Sequence, residues 1–223
     1  MHLTKSKKIL VYIFLLFFVG SINNIKINSI ELNKIKNINV SGLSNQNNKI
    51  ILNEINKLNL KNIFFLKKKE IKKIIENNTL VEKYEVIRVY PSTINIKLKE
   101  TNFLAKINQD DQILLIGTNG KLSKNNPLIE NLPFIFGKPD IQEFLKFVEI
   151  LNQSQFKYDL IKNFYFYKSK RWDLELKNNI LIKLPQNNVE DSLNNVFEFL
   201  NVEELNGIKI FDARVKNQII LNE

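Results

Sequence analysis

Apolar and polar residues alternate most regularly between residues 93 and 100 of this chain. The apolar positions there are Ile94, Ile96 and Leu98, and Asn95, Lys97 and Lys99 lie between them. A period of two residues is typical of a β-strand with one buried face. β-Branched and aromatic residues also fill positions 84–90, and Pro91 and Ser92 separate the two runs with residues suited to a turn. The pattern therefore predicts a β-hairpin over residues 84–100.

The residues before this hairpin predict one strand and two helices. A short β-type run covers residues 35–40 and ends at Ser41 and Gly42. Apolar residues then recur at helical spacing in two segments, first at Ile51, Ile55 and Leu58 and next at Ile71, Ile74 and Ile75. The order β-α-α-β-β predicts an α+β domain over residues 34–106, in which two helices pack on a small sheet.

The second half of the chain predicts a mixed α/β sheet domain over residues 107–223. Short β-type runs lie at 113–116, 164–167, 172–176, 180–184, 208–211 and 218–221. Two apolar stripes at helical spacing lie among them, at Ile141, Leu145, Val148 and Leu151 and at Leu193, Val196, Phe197 and Leu200. Asn119-Gly120 is typical of a hairpin turn. Pro127, Pro133, Gly137 and Pro139 predict a loop that contains residues 132–135.

The N-terminal residues predict a membrane segment. Residues 1–8 contain Lys5, Lys7 and Lys8 without an acidic residue, and an uninterrupted apolar run follows at 9–19. Because a spanning helix needs about 20 apolar residues, we expect a transmembrane segment over 9–27, helped by tilt and by lysines at its edges. Cleavage after Ser21, as in a signal peptide, is the alternative. Both interpretations place residues 1–8 in the cytoplasm. A linker follows at 28–33, and the domains after it lie outside the cytoplasm.

Composition and charge exclude most catalytic chemistry. The formal net charge of +10 would suit nucleic acid, but the lysines accompany asparagine and isoleucine along the whole chain, so we predict no nucleic-acid partner. The chain lacks cysteine, and its one histidine is His2. The adjacent carboxylate pairs point in different directions, at Asp110-Asp111, Glu190-Asp191 and Glu203-Glu204. We therefore predict no catalytic residue, cofactor, metal or small-molecule substrate.

The final predicted strand, at 218–221, has no later element that could cover its outer side. Such an edge strand can accept a strand from another chain, because its backbone donors and acceptors are unpaired. Periodicity by itself favours the other interpretation, in which the strand is paired on both sides or is shielded by Arg214, Lys216 and the terminal carboxylate.

The ordered segments resemble a POTRA domain of the FtsQ/DivIB cell-division proteins. The hairpin of that family carries an arginine, an aromatic residue, a proline, a threonine, alternating apolar residues and a glutamate. The corresponding residues here are Arg88, Tyr90, Pro91, Thr93 and Glu100, followed by Ala105 at the place of a recurrent alanine. The second half is similar to the family in Arg171-Trp172, in the 182–185 segment and in 211–214 before the last strand. Thr101 departs from the proline that usually follows the glutamate.

The resemblance implies a non-enzymatic scaffold at the division septum, held in the inner membrane by its N-terminal helix with its domains in the periplasm. It implies FtsB-type and FtsL-type partners, and a role in coupling septum assembly to septal peptidoglycan synthesis. The FtsB-type partner would add a strand to the C-terminal edge. Carried over by position, the partner-binding residues are Arg214, Val215, Asn217, Gln218, Ile219, Ile220 and Leu221, with Lys170 and Arg171 as cations for an acidic partner side chain.

POTRA hairpins also occur in outer-membrane assembly and secretion proteins, and this class is the alternative. Such a protein would need a C-terminal barrel of strands about 9–11 residues long. Residues 107–223 instead show short β-type runs and two helical patterns. The sequence therefore favours the division-protein interpretation.

Overall fold

The computed structural model describes residues 5–22, 34–124, 131–200, 207–216 and 218–222. The chain divides into two compact units: Met1–Ile75 with Glu85–Lys97, and Glu76–Tyr84 with Leu98–Glu223. The domain boundaries predicted from the sequence stay predictions, and the predicted linker at 28–33 lies outside the described residues.

The first helix, α1, covers Lys5–Ile22, and its side chains are exposed from residue 5 to residue 21. No helix in the described ranges is long and apolar enough to cross a membrane, so the transmembrane segment predicted over 9–27 is not found. The helix begins with Lys5, Lys7 and Lys8, and its uninterrupted apolar run ends at residue 19, short of the roughly 20 residues that a span needs. Residues 1–4 and 23–27 of the predicted tail and membrane segment lie outside the described residues.

The predicted β-α-α-β-β order after α1 is confirmed. Its elements are β1 (Asn37–Ser41), α2 (Asn45–Asn56), α3 (Lys68–Asn77), β2 (Val81–Val89) and β3 (Thr93–Glu100). The three strands form one sheet in the order β1-β3-β2, and β1 runs parallel to β3. The predicted apolar positions form the core, with Ile51, Ile55, Ile71, Ile75, Ile94 and Ile96 all buried. Isoleucines at helical and at strand spacing thus bury one side of α2, α3 and β3.

The described residues in the rest of the chain form a nine-stranded mixed sheet with two further α-helices. Its strands are β4 (Phe103–Gln109), β5 (Gln112–Gly117), β6 (Leu122–Lys124), β7 (Phe134–Phe136), β8 (Ile161–Phe166), β9 (Trp172–Leu176), β10 (Leu181–Lys183), β11 (Ile210–Asp212) and β12 (Ile220–Asn222). The helices are α4 (Ile141–Gln153) and α5 (Val189–Leu200), and a short 3₁₀ helix covers Tyr158–Leu160. The strand order is β12-β11-β10-β9-β8-β7-β4-β5-β6.

The prediction of a loop that contains residues 132–135 is wrong in one respect, because Phe134–Phe136 forms strand β7. This strand lies in the interior of the sheet and pairs in parallel with β4 on one side and β8 on the other. It is only three residues long, which is too short for a period of two to stand out in the sequence. Its partners, distant along the chain, supply the hydrogen bonds that define it.

An aromatic cluster fills the space between the sheet and helix α4. The Phe144 and Phe147 rings of the helix contact Phe164 of β8 and Trp172 of β9, at centroid distances of 4.9 to 6.1 Å. Phe144 and Phe164 are fully buried. Burial of such large rings, with edge-to-face and stacked contacts between them, stabilises the packing of helix α4 on this sheet.

The opposite face of the same strands is polar and is organised around Glu175. Its carboxylate accepts hydrogen bonds from Lys162 Nζ at 2.8 Å, Asn163 Nδ2 at 2.9 Å and the Tyr165 hydroxyl at 2.7 Å. The hydrogen bonds from Asn163 and Lys162 lower the pKa of Glu175 from its ordinary value of 4.5 to about 2. Burial and the Glu175 contact raise the pKa of Tyr165 to about 12, so Tyr165 stays a donor at neutral pH.

We expect the Glu175→Gln substitution to reduce the acid sensitivity of the fold. A carboxyl group whose pKa is lower in the folded state stabilises the fold above its unfolded pKa, and this contribution is lost as the pH falls from about 4.5 to about 2. At neutral pH the substitution should lower the free energy of unfolding by about 2 kcal/mol. This is less than the pKa difference alone would give, because Lys162 is half exposed and solvent screens its charge. Denaturant unfolding measured from pH 2 to pH 7 would test this. Parallel stability curves for the two proteins below pH 4.5 would contradict it.

Candidate functional site

Strand β12 forms one edge of the nine-stranded sheet. Within the described strands it pairs only with β11, in antiparallel register that sets Ile220 opposite Asp212 and Leu221 opposite Phe211. Ile220 is 47% exposed and Leu221 is 40% exposed. The prediction of a C-terminal edge strand is thus confirmed for the described part of the sheet, although the strand covers Ile220–Asn222 and not 218–221. Among the described residues no strand pairs with the outer side of β12, so its backbone groups there are open to another strand.

The residues that lead into β12 turn the chain back onto β11. The Gln218 backbone N–H donates to the Val215 carbonyl at 3.2 Å, which closes a tight turn. Ile219 is half-buried and packs against the hydrophobic core, so it anchors the start of the strand. Leu221 shares the face of the buried Phe211, whereas Ile220 shares the opposite, polar face with Asp212. The edge strand is therefore held on one face by apolar contacts.

A row of charged residues crosses the polar face of the sheet and ends at the edge strand. The strand register sets Asp173 of β9 opposite Lys183 of β10, Lys183 opposite Asp212 of β11, and Asp212 opposite Ile220 of β12. Directly opposed residues on neighbouring strands lie about 4.5–5.5 Å apart at their Cβ atoms. The signs alternate along the row, so each charge lies beside its opposite.

Asp173 is a buried carboxylate, with 1% of its side chain exposed, and Arg171 is its cation. The Arg171 Nε donates to Asp173 Oδ1 at 3.2 Å, and the Leu184 backbone N–H donates to the same oxygen at 3.3 Å. Burial raises the pKa of Asp173 above its usual range, although Arg171 opposes this effect. The Arg171 guanidinium also lies over the Tyr167 ring, 4.6 Å from its centroid. Arg171 thus compensates a charge inside this sheet.

Arg214 makes a second ion pair, closer to the edge strand. Its Nε donates to Asp212 Oδ1 at 2.7 Å, and a terminal guanidinium nitrogen donates to the other carboxylate oxygen. The hydrogen bonds from Arg214 hold the pKa of Asp212 below its usual range, and the same contact raises the pKa of Arg214. The Arg214 side chain is 44% exposed, so it retains donors that face solvent.

The structure brings together most residues that the sequence singled out. Arg214, Val215, Gln218, Ile219, Ile220 and Leu221 lie on β12 or in the segment before it, and Asn217 lies outside the described residues. Lys170 is exposed in the turn before β9, where its φ is +59°. Asp173 and Asp212 were missed, although a signal for both is present. Each lies two residues from an arginine, Arg171 immediately before β9 and Arg214 two residues after the end of β11.

A polar cavity of about 330 Å³ lies beside Arg214, between the segment after β10 and the start of α5. Its walls are Pro185, Gln186, Asn187, Asn188, Asp191, Ser192, Asn195, Arg214 and Lys216. The lining offers amide and hydroxyl groups, one carboxylate and two cations. Such a cavity suits a polar side chain of a bound protein better than an apolar ligand. Across the described ranges, no group of three or more histidine, cysteine, aspartate or glutamate residues could hold a metal ion.

Comparison with known protein families gives two adjacent matches. A model described as "POTRA domain, FtsQ-type" matches residues 33–101. A second model, "Cell division protein FtsQ/DivIB, C-terminal", matches residues 105–214. The two matches cover the three-stranded sheet and nearly all of the nine-stranded one. They do not favour an outer-membrane assembly or secretion protein.

Two proteins named cell division protein FtsQ agree with these matches. The chain is 29% identical over 171 residues to the cell division protein FtsQ of Rickettsia conorii, covering 72% of this chain and 61% of that protein. It is 30% identical over 172 residues to the Rickettsia bellii protein of the same name, covering 73% of this chain and 62% of that protein. The match thus spans less than two thirds of these relatives. The major extracytoplasmic domain of DivIB from Geobacillus stearothermophilus aligns at 13% identity and a TM-score of 0.32, over 43% of this chain and 87% of that domain.

Proposed function

The chain belongs to the FtsQ/DivIB family of cell-division proteins, and we propose that it acts as a non-enzymatic scaffold that binds other division proteins through its C-terminal sheet edge. The partners are FtsB-type and FtsL-type proteins, and the FtsB-type partner contributes a strand alongside β12. By holding these partners at the division site, the chain couples septum assembly to septal peptidoglycan synthesis.

The observation that carries this proposal is the open outer side of β12. A strand added there would gain backbone hydrogen bonds along Ile220–Asn222 and would extend the sheet by one member. Because β12 is short, these bonds alone give limited affinity, so side chains near the edge must contribute. Ile220 and Leu221 present apolar surface on opposite faces of the strand, and both are exposed enough to contact a neighbouring chain.

The cations beside the edge favour a partner with acidic side chains. Arg214 faces solvent with part of its guanidinium while Asp212 holds it in place, and Lys216 follows it in an exposed position. An arginine already fixed by an ion pair loses little conformational freedom when it binds a second carboxylate. Lys170 is exposed and can contribute a further positive charge. Arg171 has a smaller share in partner binding than the sequence suggested, because it is engaged with the buried Asp173.

A pair of proline substitutions, Ile220→Pro and Leu221→Pro, tests the strand-addition proposal. The N–H groups of successive strand residues point to opposite sides, so one of these two faces β11 and the other faces the open edge. Proline removes the N–H in either case. We expect the open-edge variant to keep its melting temperature and to bind the FtsB–FtsL-type pair of the same organism at least about tenfold more weakly. The other variant should lose stability.

Calorimetric titration of the purified protein would give the affinities, and circular dichroism would give the melting temperatures. Lys124→Pro offers a matched control, because Lys124 is also exposed on an edge strand but lies in β6, at the other end of the described sheet from β12. If both proline variants at the C-terminal edge bind as well as the wild type, strand addition at β12 is wrong.

A further inference from the structure

The first compact unit carries a cluster of exposed aromatic rings next to a run of lysines. Phe64 is 52% exposed, Phe65 is 84% exposed and Tyr90 is 56% exposed. The exposed lysines that follow the two phenylalanines are Lys67, Lys68 and Lys69. We refer to these six residues as the aromatic–lysine patch. None of them belongs to the edge-strand site, and the matches to known proteins assign them no role.

The loop is built so that its rings point outward. Ile63 is fully buried and anchors the loop to the core. The Asn62 side-chain oxygen accepts hydrogen bonds from the backbone N–H groups of Phe64 at 2.8 Å and Phe65 at 3.4 Å. The Phe64 ring packs on Tyr90 at a centroid distance of 5.3 Å, which joins this loop to the tip of the β2–β3 hairpin. The Phe64 and Tyr90 rings are therefore held together, and the backbone of Phe65 is fixed beside them, before any ligand binds.

The charge around the rings is strongly positive. Residues 61–73 contain six lysines and one glutamate, Glu70, which pairs with Lys67 at 3.3 Å. Lys68 and Lys69 lie in the first turn of α3, where the helix dipole disfavours positive charge. Neither an exposed phenylalanine nor a cation at the start of a helix stabilises the fold. Their presence together is typical of a surface that binds something anionic with an apolar layer beneath.

We propose that the aromatic–lysine patch docks on the headgroup region of an anionic lipid bilayer. Aromatic rings insert at the boundary between headgroups and acyl chains, and lysine clusters are attracted to anionic headgroups. The neighbouring Val89 is 42% exposed and adds aliphatic surface, which favours a lipid interface over the bases of a nucleic acid. The binding would be reversible and sensitive to salt, since exposed charges are screened. This inference does not depend on the edge-strand function.

The Phe65→Trp variant of the full chain gives a local readout of this docking. The tryptophan emission of the variant, after subtraction of the wild-type signal from buried Trp172, should shift to shorter wavelength with phosphatidylglycerol-containing vesicles. Pure phosphatidylcholine vesicles should need an at least about tenfold higher lipid concentration for the same shift. The Lys67→Glu/Lys68→Glu/Lys69→Glu substitutions, added to this variant, should abolish the preference for anionic lipid. Tyr90→Trp, at the adjoining ring, should respond in the same way.

Phe136→Trp is the matched control, because Phe136 is 44% exposed but lies on β7 in the second unit. A site-specific shift is needed because the apolar helix α1 could itself adsorb to vesicles. Equal shifts at positions 65 and 136, or a shift at position 65 that survives the lysine reversals, would overturn the proposal. A response to single-stranded DNA but not to anionic vesicles would overturn it in favour of a nucleic-acid surface.

Discussion

Replacing Phe164 by alanine is expected to lower the free energy of unfolding by about 3–5 kcal/mol, the usual cost of deleting a large buried aromatic ring. Phe164 is fully buried. Its ring contacts those of Phe144, Phe147, Tyr158 and Trp172 at centroid distances of 5.4 to 6.2 Å. Four rings around one side chain leave little freedom to close the resulting cavity, so the cost should fall in the upper part of this range.

Denaturant unfolding followed by circular dichroism and by the emission of Trp172, the single tryptophan, would measure this loss. Phe164→Leu retains much of the volume and should cost under about 1.5 kcal/mol. Phe136→Ala removes a phenylalanine that is 44% exposed and should have a still smaller effect. A Phe164→Ala variant as stable as Phe136→Ala would mean that the aromatic cluster does not support the sheet as described.

Replacing Arg171 by methionine is expected to lower the free energy of unfolding by about 2–3 kcal/mol. The substitution leaves Asp173 buried without its cation, and an uncompensated buried charge is costly. Methionine keeps part of the apolar stem that packs near Tyr167. Lys170→Met is a matched control, since it removes the same charge from the neighbouring exposed residue and should change stability by less than about 0.5 kcal/mol.

The pH dependence of the Arg171→Met deficit separates a charge effect from lost packing. Burial already raises the pKa of Asp173, and loss of Arg171 removes a group that lowers it, so the pKa of Asp173 in the folded variant rises further. Above that pKa the buried carboxylate is ionised and the deficit is complete. As the pH falls through it, Asp173 takes up a proton and the deficit shrinks.

The double variant Arg171→Met/Asp173→Asn provides the corresponding test at neutral pH. It removes both charges, so it should recover most of the stability that Arg171→Met loses. Stability curves for Arg171→Met and the wild type that stay parallel from pH 7 to pH 3, together with no recovery in the double variant, would show that packing and not charge explains the effect.

Much of the fold could be predicted because it depends on local periodicity. The hairpin over 84–100 and the two isoleucine-rich helices follow from spacings of two and of three to four residues, which backbone geometry imposes wherever one side of an element is buried. Strands β8 to β12 were likewise indicated by short apolar runs. Strand β7 was not, because three residues show no period and its neighbours in the sheet are far away in sequence.

The membrane segment is the opposite case. The sequence predicted it from an apolar run, but no described helix is long and apolar enough to cross a membrane. The prediction rested on the apolar run at 9–19, but the helix that contains this run also contains Lys5, Lys7 and Lys8. At the candidate site, Arg171 and Arg214 were named from the sequence, and their part in partner binding stays a prediction. Their partners Asp173 and Asp212 were not named, although each lies two residues from its arginine.

The sequence by itself determined which residues face the core, where most strands and helices lie, and which residues can carry charge, because these properties depend on neighbours within a few positions. Only the tertiary structure decided that β12 lies at the edge of the sheet, that Asp173 is buried against Arg171, and that Tyr90 contacts the loop of Phe64. Strand order and cross-strand pairs depend on contacts between distant segments, and no local pattern encodes which of the possible pairings has the lowest free energy.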